Sequence, residues 1–257
     1  MKKIFVILAF SAAMVANAQI VTSRSSSVTR IEQPTEVVPS NNYNRFYIGA
    51  TIGIPSTTGV DLDGHKIPTA YGVTAGFLWG LNIVPNMPLY VEFGPEVTWM
   101  TASDSYKDSD SYGRYEEVWT DDVTANFLSI SVPVNVTYRF DITDKFSIAP
   151  FVGPNLKFNI LAKGTDKESY IEYKDGEIYR SDSDSEDFDA FDEDDTDSNT
   201  ANRFQYGYNI GCNFSIGQWT FGYRYQGNFN NFFDVDERHY NASGDIGTNH
   251  FTVGYTF

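Results

Sequence analysis

The chain has 257 residues, with 34 Asp or Glu against 18 Lys or Arg, a formal charge of −16 with histidine neutral. Such an acidic balance excludes nucleic acid as a partner. The lone cysteine, Cys212, excludes an internal disulfide, so packing and hydrogen bonding must hold the fold.

Residues 1–18, MKKIFVILAFSAAMVANA, place Lys2 and Lys3 ahead of an apolar run that ends in Ala16-Asn17-Ala18. This is the pattern of a cleaved secretory signal peptide, and the run is short for a membrane helix. Cleavage removes two lysines, leaving 16 bases against 34 acids and a charge of −18. The residue directly after the cleavage site is Gln19 rather than cysteine, which argues against a lipid-anchored N-terminus. Residues 19–44 are rich in Ser, Thr and Pro without sustained periodicity, and read as a flexible periplasmic leader. No later stretch is apolar enough to cross a membrane as a helix, so any span has to be β.

From residue 45 the chain alternates strand-like runs with turns. The runs are 45–54, 69–80, 88–101, 124–140, 145–161, 202–216, 218–230 and 247–257, eight in all. Long connections (55–68, 102–123, 162–201, 231–246) take turns with short ones (81–87, 141–144, Gly217). In an up-and-down barrel this gathers the long loops at one end and the tight turns at the other, as in outer-membrane barrels. A Greek-key sandwich has no reason to show it.

Within the runs apolar and polar residues alternate. In FLSISVPVNVTYRF the set Leu128, Ile130, Val132, Val134, Val136, Tyr138, Phe140 opposes Ser129, Ser131, Pro133, Asn135, Thr137, Arg139. The apolar set is too bulky for the inside of an eight-stranded barrel, whereas the small polar set fits there. The polar set carries few charges: Glu92, Glu96, Arg139, Lys157, Arg203 and Arg224. Two acids and four bases can neutralise one another in a closed lumen, where a lone charge is costly. The apolar face therefore points to lipid. Aromatics such as Phe46, Trp79, Trp219 and Tyr255 at one end, and Tyr71, Trp99, Phe158 and Phe251 at the other, flank an aliphatic band, as expected at membrane interfaces. Pro95, Pro133, Pro150 and Pro154 fall inside these runs, and each removes a ladder donor in a barrel with no free edge.

The stretches LSISVPVNVTYRF, APFVGPNLKF, FYIGATIGIP and HFTVGYTF resemble the porin-family, PorT-like outer membrane beta-barrel proteins and, more loosely, the small barrels of the OmpA and OmpX type. The resemblance spans roughly residues 45–257. It implies a barrel in the outer membrane of a Gram-negative bacterium, with lipid and lipopolysaccharide around it. It also implies that Phe251, Val253, Tyr255 and Phe257 form the closing pattern read by the barrel-assembly machinery. The family shares no catalytic motif, so the resemblance implies little about activity.

The third long loop has ten acids and no base over residues 182–197. Asp182, Asp184, Glu186 and Glu193 have the spacing of positions 1, 3, 5 and 12 of an EF-hand loop, but Asp187 stands where that loop requires glycine. A solvated, self-repelling loop is the better reading, with weak calcium or magnesium binding or a cation-bridged contact with lipopolysaccharide as alternatives. No other cofactor is expected. His65, His239 and His250 are the available bases for a lipid-modifying enzyme, without a nucleophile and an orienting group that can be placed beside them. The reading is an all-β, eight-stranded antiparallel up-and-down transmembrane β-barrel over residues 45–257, with an acidic extracellular loop at 162–201. A ten-stranded arrangement using part of 102–123 or 165–181 as an extra hairpin is the alternative. A structural or surface-interaction role toward an unknown extracellular ligand leads. A narrow gated porin for a small solute comes second, and a lipid A-modifying enzyme third.

Overall fold

The computed structural model describes residues 42–58, 68–85, 87–192, 201–237 and 240–257. The expected signal peptide, nearly all of the leader, His65, Glu193 and His239 lie outside them. The strands are β1 (Tyr43–Thr58), β2 (Ala70–Asn82), β3 (Leu89–Phe93), β4 (Glu96–Tyr112), β5 (Tyr115–Tyr138), β6 (Phe140–Thr143), β7 (Phe146–Lys174), β8 (Glu177–Asp189), β9 (Phe204–Ile216), β10 (Trp219–Asn228), β11 (Phe233–Glu237) and β12 (Tyr240–Thr256).

The pairings close on themselves, and all are antiparallel. β1 pairs with β2, β2 with both β3 and β4, and these with β5; the ring continues through β7, β9, β10 and β12 back to β1. Since β3 and β4 are two halves of one wall, interrupted at Gly94 and Pro95, the ring has eight walls, as the alternation predicts. Closure leaves the barrel without an edge, so its ladder groups are paired without water. The seam is continued by backbone bonds from Asn44 N to Phe257 O at 3.1 Å and from Phe257 N to Asn44 O at 3.0 Å.

Side chains follow the period of two. Phe46 and Ile48 point outward, 49% and 56% exposed, while Tyr47 and Thr51 point inward, 5% and 1% exposed. The outer surface carries Ile48, Val73, Ile130, Val132, Val152 and Ile210, all exposed, between rims that include Phe46, Trp79, Trp219 and Tyr255 at the tight-turn end. Tyr71, Trp99, Phe158, Phe204 and Phe251 form the opposite rim.

The in-strand prolines sit where a ladder is already broken. Phe93 pairs with Val134 and Glu96 with Ser131, so Gly94 and Pro95 fall opposite Pro133 and Val132 in the gap between β3 and β4. Pro154 falls in the interval between the pairs Pro133↔Asn155 and Val136↔Val152, and Pro150 lies one step past the last β5–β7 pair, Thr137↔Phe151. A missing N–H costs little where the facing strand makes no bond. In the same interval Gly153 lies so close to the carbonyl of Val134 that a Cβ would overlap it.

β4, β5 and β7 do not stop at the membrane. The last β2–β4 pair is Tyr71↔Thr101, yet β4 runs on to Tyr112 and β7 has 29 residues, against the roughly 9–11 that a tilted span requires. Beyond the barrel these strands and β8 form a sheet in the order β4–β5–β7–β8. The β7–β8 turn is Asp175-Gly176, with φ of 52° and 83°, the left-handed pair that a tight hairpin needs. This corrects two expectations. The β4–β5 hairpin and the upper part of β7 lengthen existing walls, and β8 pairs only with β7 beyond the ring, so no ninth or tenth wall is added. Residues 162–174 and 177–189 are strand rather than loop, because the acidic run finds a partner ladder on β7.

Candidate functional site

Along the inner face of the barrel three zones follow one another from the tight-turn end outward. The first is a plug of paired charges. Arg45 Nη2 donates to Glu92 Oε1 at 2.8 Å, Tyr43 Oη donates to the same oxygen, and Thr137 Oγ1 donates to Oε2 at 3.0 Å. One layer further out Arg224 Nη2 donates to both oxygens of Glu96, which also accept from Tyr47 Oη at 2.6 Å and Ser131 Oγ at 3.1 Å. Both glutamates are completely or almost completely buried, at 0% and 1% exposure. The two tyrosines reach them by lying across glycines: Tyr43 is opposite Gly80 and Tyr47 opposite Gly76, and a side chain at either glycine would overlap the ring. The space left among Arg45, Tyr47, Glu92 and Arg224 is about 30 Å³, room for a water or two.

Next comes a layer of mostly uncharged polar groups. His250 lies between Thr51 Oγ1, 3.0 Å from Nδ1, and Thr248 Oγ1, 3.0 Å from Nε2. Asn159 Nδ2 donates to Gln205 Oε1 at 3.0 Å, and Gln205 Nε2 donates to Asp245 Oδ1 at 2.9 Å, which Asn228 Nδ2 also reaches at 2.8 Å. Lys157 is buried in this layer, with Asp245 supplying opposite charge. The third zone is an apolar collar in which Ala70, Met100 and Ala102 are buried against Phe127 and Ile246.

Of the six charges expected in the lumen, Glu92, Glu96, Lys157 and Arg224 are there. Arg139 and Arg203 are not, because parity binds a side chain only inside a strand. Arg139 follows the end of β5 and turns to Asp141 at 2.7 Å, both exposed. Arg203 precedes β9 and lays its guanidinium over the ring of Phe191, 4.2 Å from the centroid. The sequence reading missed two inward charges: Asp245, which fell in the expected loop 231–246, and Arg45, although its odd position in a strand with Phe46 and Ile48 outside marks it as inward. His250 faces the lumen, as expected, but with both ring nitrogens held by threonines. Phe251, Val253, Tyr255 and Phe257 form an outward row on and just past β12.

Above the collar the inner face continues as one face of the projecting sheet, and its chemistry changes. By register this face carries Asp104, Asp108 and Asp110 of β4, Glu117 and Asp121 of β5, Asp166, Glu168 and Glu172 of β7, and Asp182, Asp184 and Glu186 of β8. Lys174 and Arg180 are the bases among them. Aromatic groups are interleaved: Trp119 packs on Tyr170 at 5.5 Å, and Lys174 lies over the rings of Tyr115 and Tyr179. The opposite face carries fewer charges, and of both signs: Ser103, Ser105, Ser109 and Ser111 on β4 and Ser181, Ser183 and Ser185 on β8 share it with Lys107, Lys163 and Lys167 and with Glu116, Asp122, Asp187 and Asp189. Tyr112 donates to Glu117, and this bond to a carboxylate raises its phenol to about 12. At the foot of β8 the amide of Phe191 donates to Asp189 at 3.0 Å and Lys163 pairs with it at 3.1 Å, which lowers the Asp189 carboxyl below its usual range.

Asp182, Asp184 and Glu186, whose spacing offered weak cation binding only as an alternative to a solvated loop, stand in a row on an extended strand. Successive carboxylates there are about 6.6 Å apart along the chain, whereas an EF-hand wraps its ligands round one ion. Among the described residues no group of three or more His, Cys, Asp or Glu is placed to hold a metal ion.

Walls that turn aliphatic side chains outward and charges inward are stable only with hydrocarbon around them. The fold therefore defines an integral membrane β-barrel. Over residues 17–234 the chain matches the model of the outer membrane protein beta-barrel domain, and it belongs to that family. Its place is the outer membrane of a Gram-negative bacterium, in contact with lipid and lipopolysaccharide. Among solved structures it is similar to Ail, the attachment invasion locus protein of Yersinia pestis, with 14% identity and a TM-score of 0.34 over 84% of this chain and 98% of that one. The same protein in complex with the heparin analogue sucrose octasulfate gives 13% and 0.32 over 84% and 99%. The translocator domain of the autotransporter NalP from Neisseria meningitidis gives 8% and 0.18 over 97% and 96%. No curated protein matches the chain.

Proposed function

We propose that this barrel is an anchor for a surface-interaction module, the acidic face of the projecting sheet, which meets a positively charged partner outside the cell. The observation that carries the reading is the line of like charges across the strands, Asp121 opposite Glu168 and Glu168 opposite Asp184. Opposed like charges oppose folding, and local conflicts of this kind concentrate at functional sites. Exposed tyrosines and Trp119 among the carboxylates add faces on which guanidinium or ammonium groups can stack.

A fluorescent octa-arginine peptide and the protein held in lipid nanodiscs test this. Binding should be firm at low salt and lost near about 0.5 M, where screening acts over only a few ångströms. The triple substitution D182N/D184N/E186Q should weaken it about tenfold, or about 1.4 kcal/mol. Equal affinity in the triple variant would discard the reading. The charge plug supports a barrel that does not conduct, and purified protein in planar bilayers should give no discrete channels. The outward row Phe251, Val253, Tyr255 and Phe257 is the element we assign to recognition by the assembly machinery.

A further inference from the structure

The apolar collar encloses a cavity of about 180 Å³ between Pro55, Ala102, Val123, Ala125, Phe127 and Ile246. These side chains offer no donor or acceptor, so water inside would lack partners. A dry engineered cavity of about 150 Å³ in another protein takes up benzene, which sets the size of a fitting occupant at one aromatic ring.

The rim adds a charge requirement. Val123 of β5 stands between Asp104 of β4 and Asp166 of β7 in the register, all on one face. Directly opposed side chains have their Cβ atoms about 5 Å apart. Asp166 Oδ1 is closed off from solvent and has no hydrogen-bond partner among the described residues, and its neighbour across the β7–β8 ladder is another acid, Glu186. A desolvated carboxylate oxygen without a donor is costly to the fold, and a cationic N–H group would satisfy it.

We propose that the outer mouth of the barrel binds a small organic amine, its apolar body of about phenyl size in the collar cavity and its ammonium group at Asp166, with Asp104 adding attraction. The site is independent of the partner assigned to the sheet above it.

The test uses benzylamine and benzyl alcohol, which share a ring and differ in charge. The full barrel is held in nanodiscs, and the amide NMR signals of Ala102, Phe127 and Ile246 are followed against empty nanodiscs to remove partition into lipid. Benzylamine should shift these signals saturably, with benzyl alcohol about tenfold weaker or more. Asp166→Asn should bring benzylamine down to the benzyl alcohol level. Ala125→Leu, which fills the cavity, should abolish both, and Ala102→Leu repeats that test if the first variant fails to give the compact heat-modifiable form. No saturable shift with benzylamine would overturn the site. Binding that survives both cavity-filling substitutions, or equal affinity for the alcohol and the amine, would overturn it as well, as would a crystal structure with the cavity occupied by the protein's own side chains.

Discussion

The lumen and the projecting sheet are built from the same strands, and they treat charge in opposite ways. On the lower part of β4, Glu96 is enclosed by Arg224, Tyr47 and Ser131. On the upper part of the same strand Asp108 and Asp110 stand opposite Trp119 and Glu117, in water. The difference teaches how the environment sets the rule for one continuous strand. Inside the ring an unpaired charge has no solvent to stabilise it, so each acid is matched by a base and further donors. Outside, water screens the acids, and like charges can face each other at the cost of a fraction of a kcal/mol each.

The sharpest way to break the contrast is to remove one partner inside. Arg224→Leu should leave Glu96 buried and uncompensated, costing about 3–5 kcal/mol; the urea midpoint of the heat-modifiable transition reports it. The double change E96Q/R224L should recover most of that loss, and failure to do so would deny the pair its role. Gly76→Leu comes next, because the new side chain displaces the Tyr47 ring; strain of about 1–3 kcal/mol is expected from overpacking, read from the same midpoint. Outside, the sign should reverse: Glu168→Gln relieves repulsion from Asp121 and Asp184 and should stabilise the sheet by about 0.2–1 kcal/mol per pair. Slower amide exchange along β8, and the same slowing by added salt in the unsubstituted protein, would show it. The smallest effect is at Asp189. Its carboxyl titrates below the ordinary value of 3.8 because the Phe191 amide and then Lys163 favour the charged form. The stabilisation is therefore complete above that value and lost as pH falls through the lower, folded one. Exchange at the Phe191 amide should rise over that acid range, and Asp189→Asn should remove most of the pH dependence.

The two regions also differ in how far the chain betrays them. The barrel was legible because its two alternating sets differ in polarity, so FLSISVPVNVTYRF names both its period and its dry face. On β8 the alternation is just as strict over SDSDSE, which places serines on one face and acids on the other. Both sets are polar, however, and a hydropathy pattern has no contrast to register. The Asp175-Gly176 turn was the available signal, and it marks a hairpin without saying whether the hairpin widens the ring or extends it. Among lumen residues, parity located Glu92, Glu96, Lys157 and Arg224 but misplaced Arg139 and Arg203, which lie one residue outside a strand. Which acid meets which base depends on the stagger of non-adjacent walls: Glu96 and Arg224 are 128 residues apart.

The pairing of β1 with β12 has a consequence for how the molecule can come into being. The opening wall has its second neighbour only in the wall built last, so every earlier stage of synthesis leaves two strands with bare amide edges. In hydrocarbon each such group costs several kcal/mol, which rules out a long-lived half-finished ring in the bilayer. Insertion and closure must be a single event, waiting on the final strand.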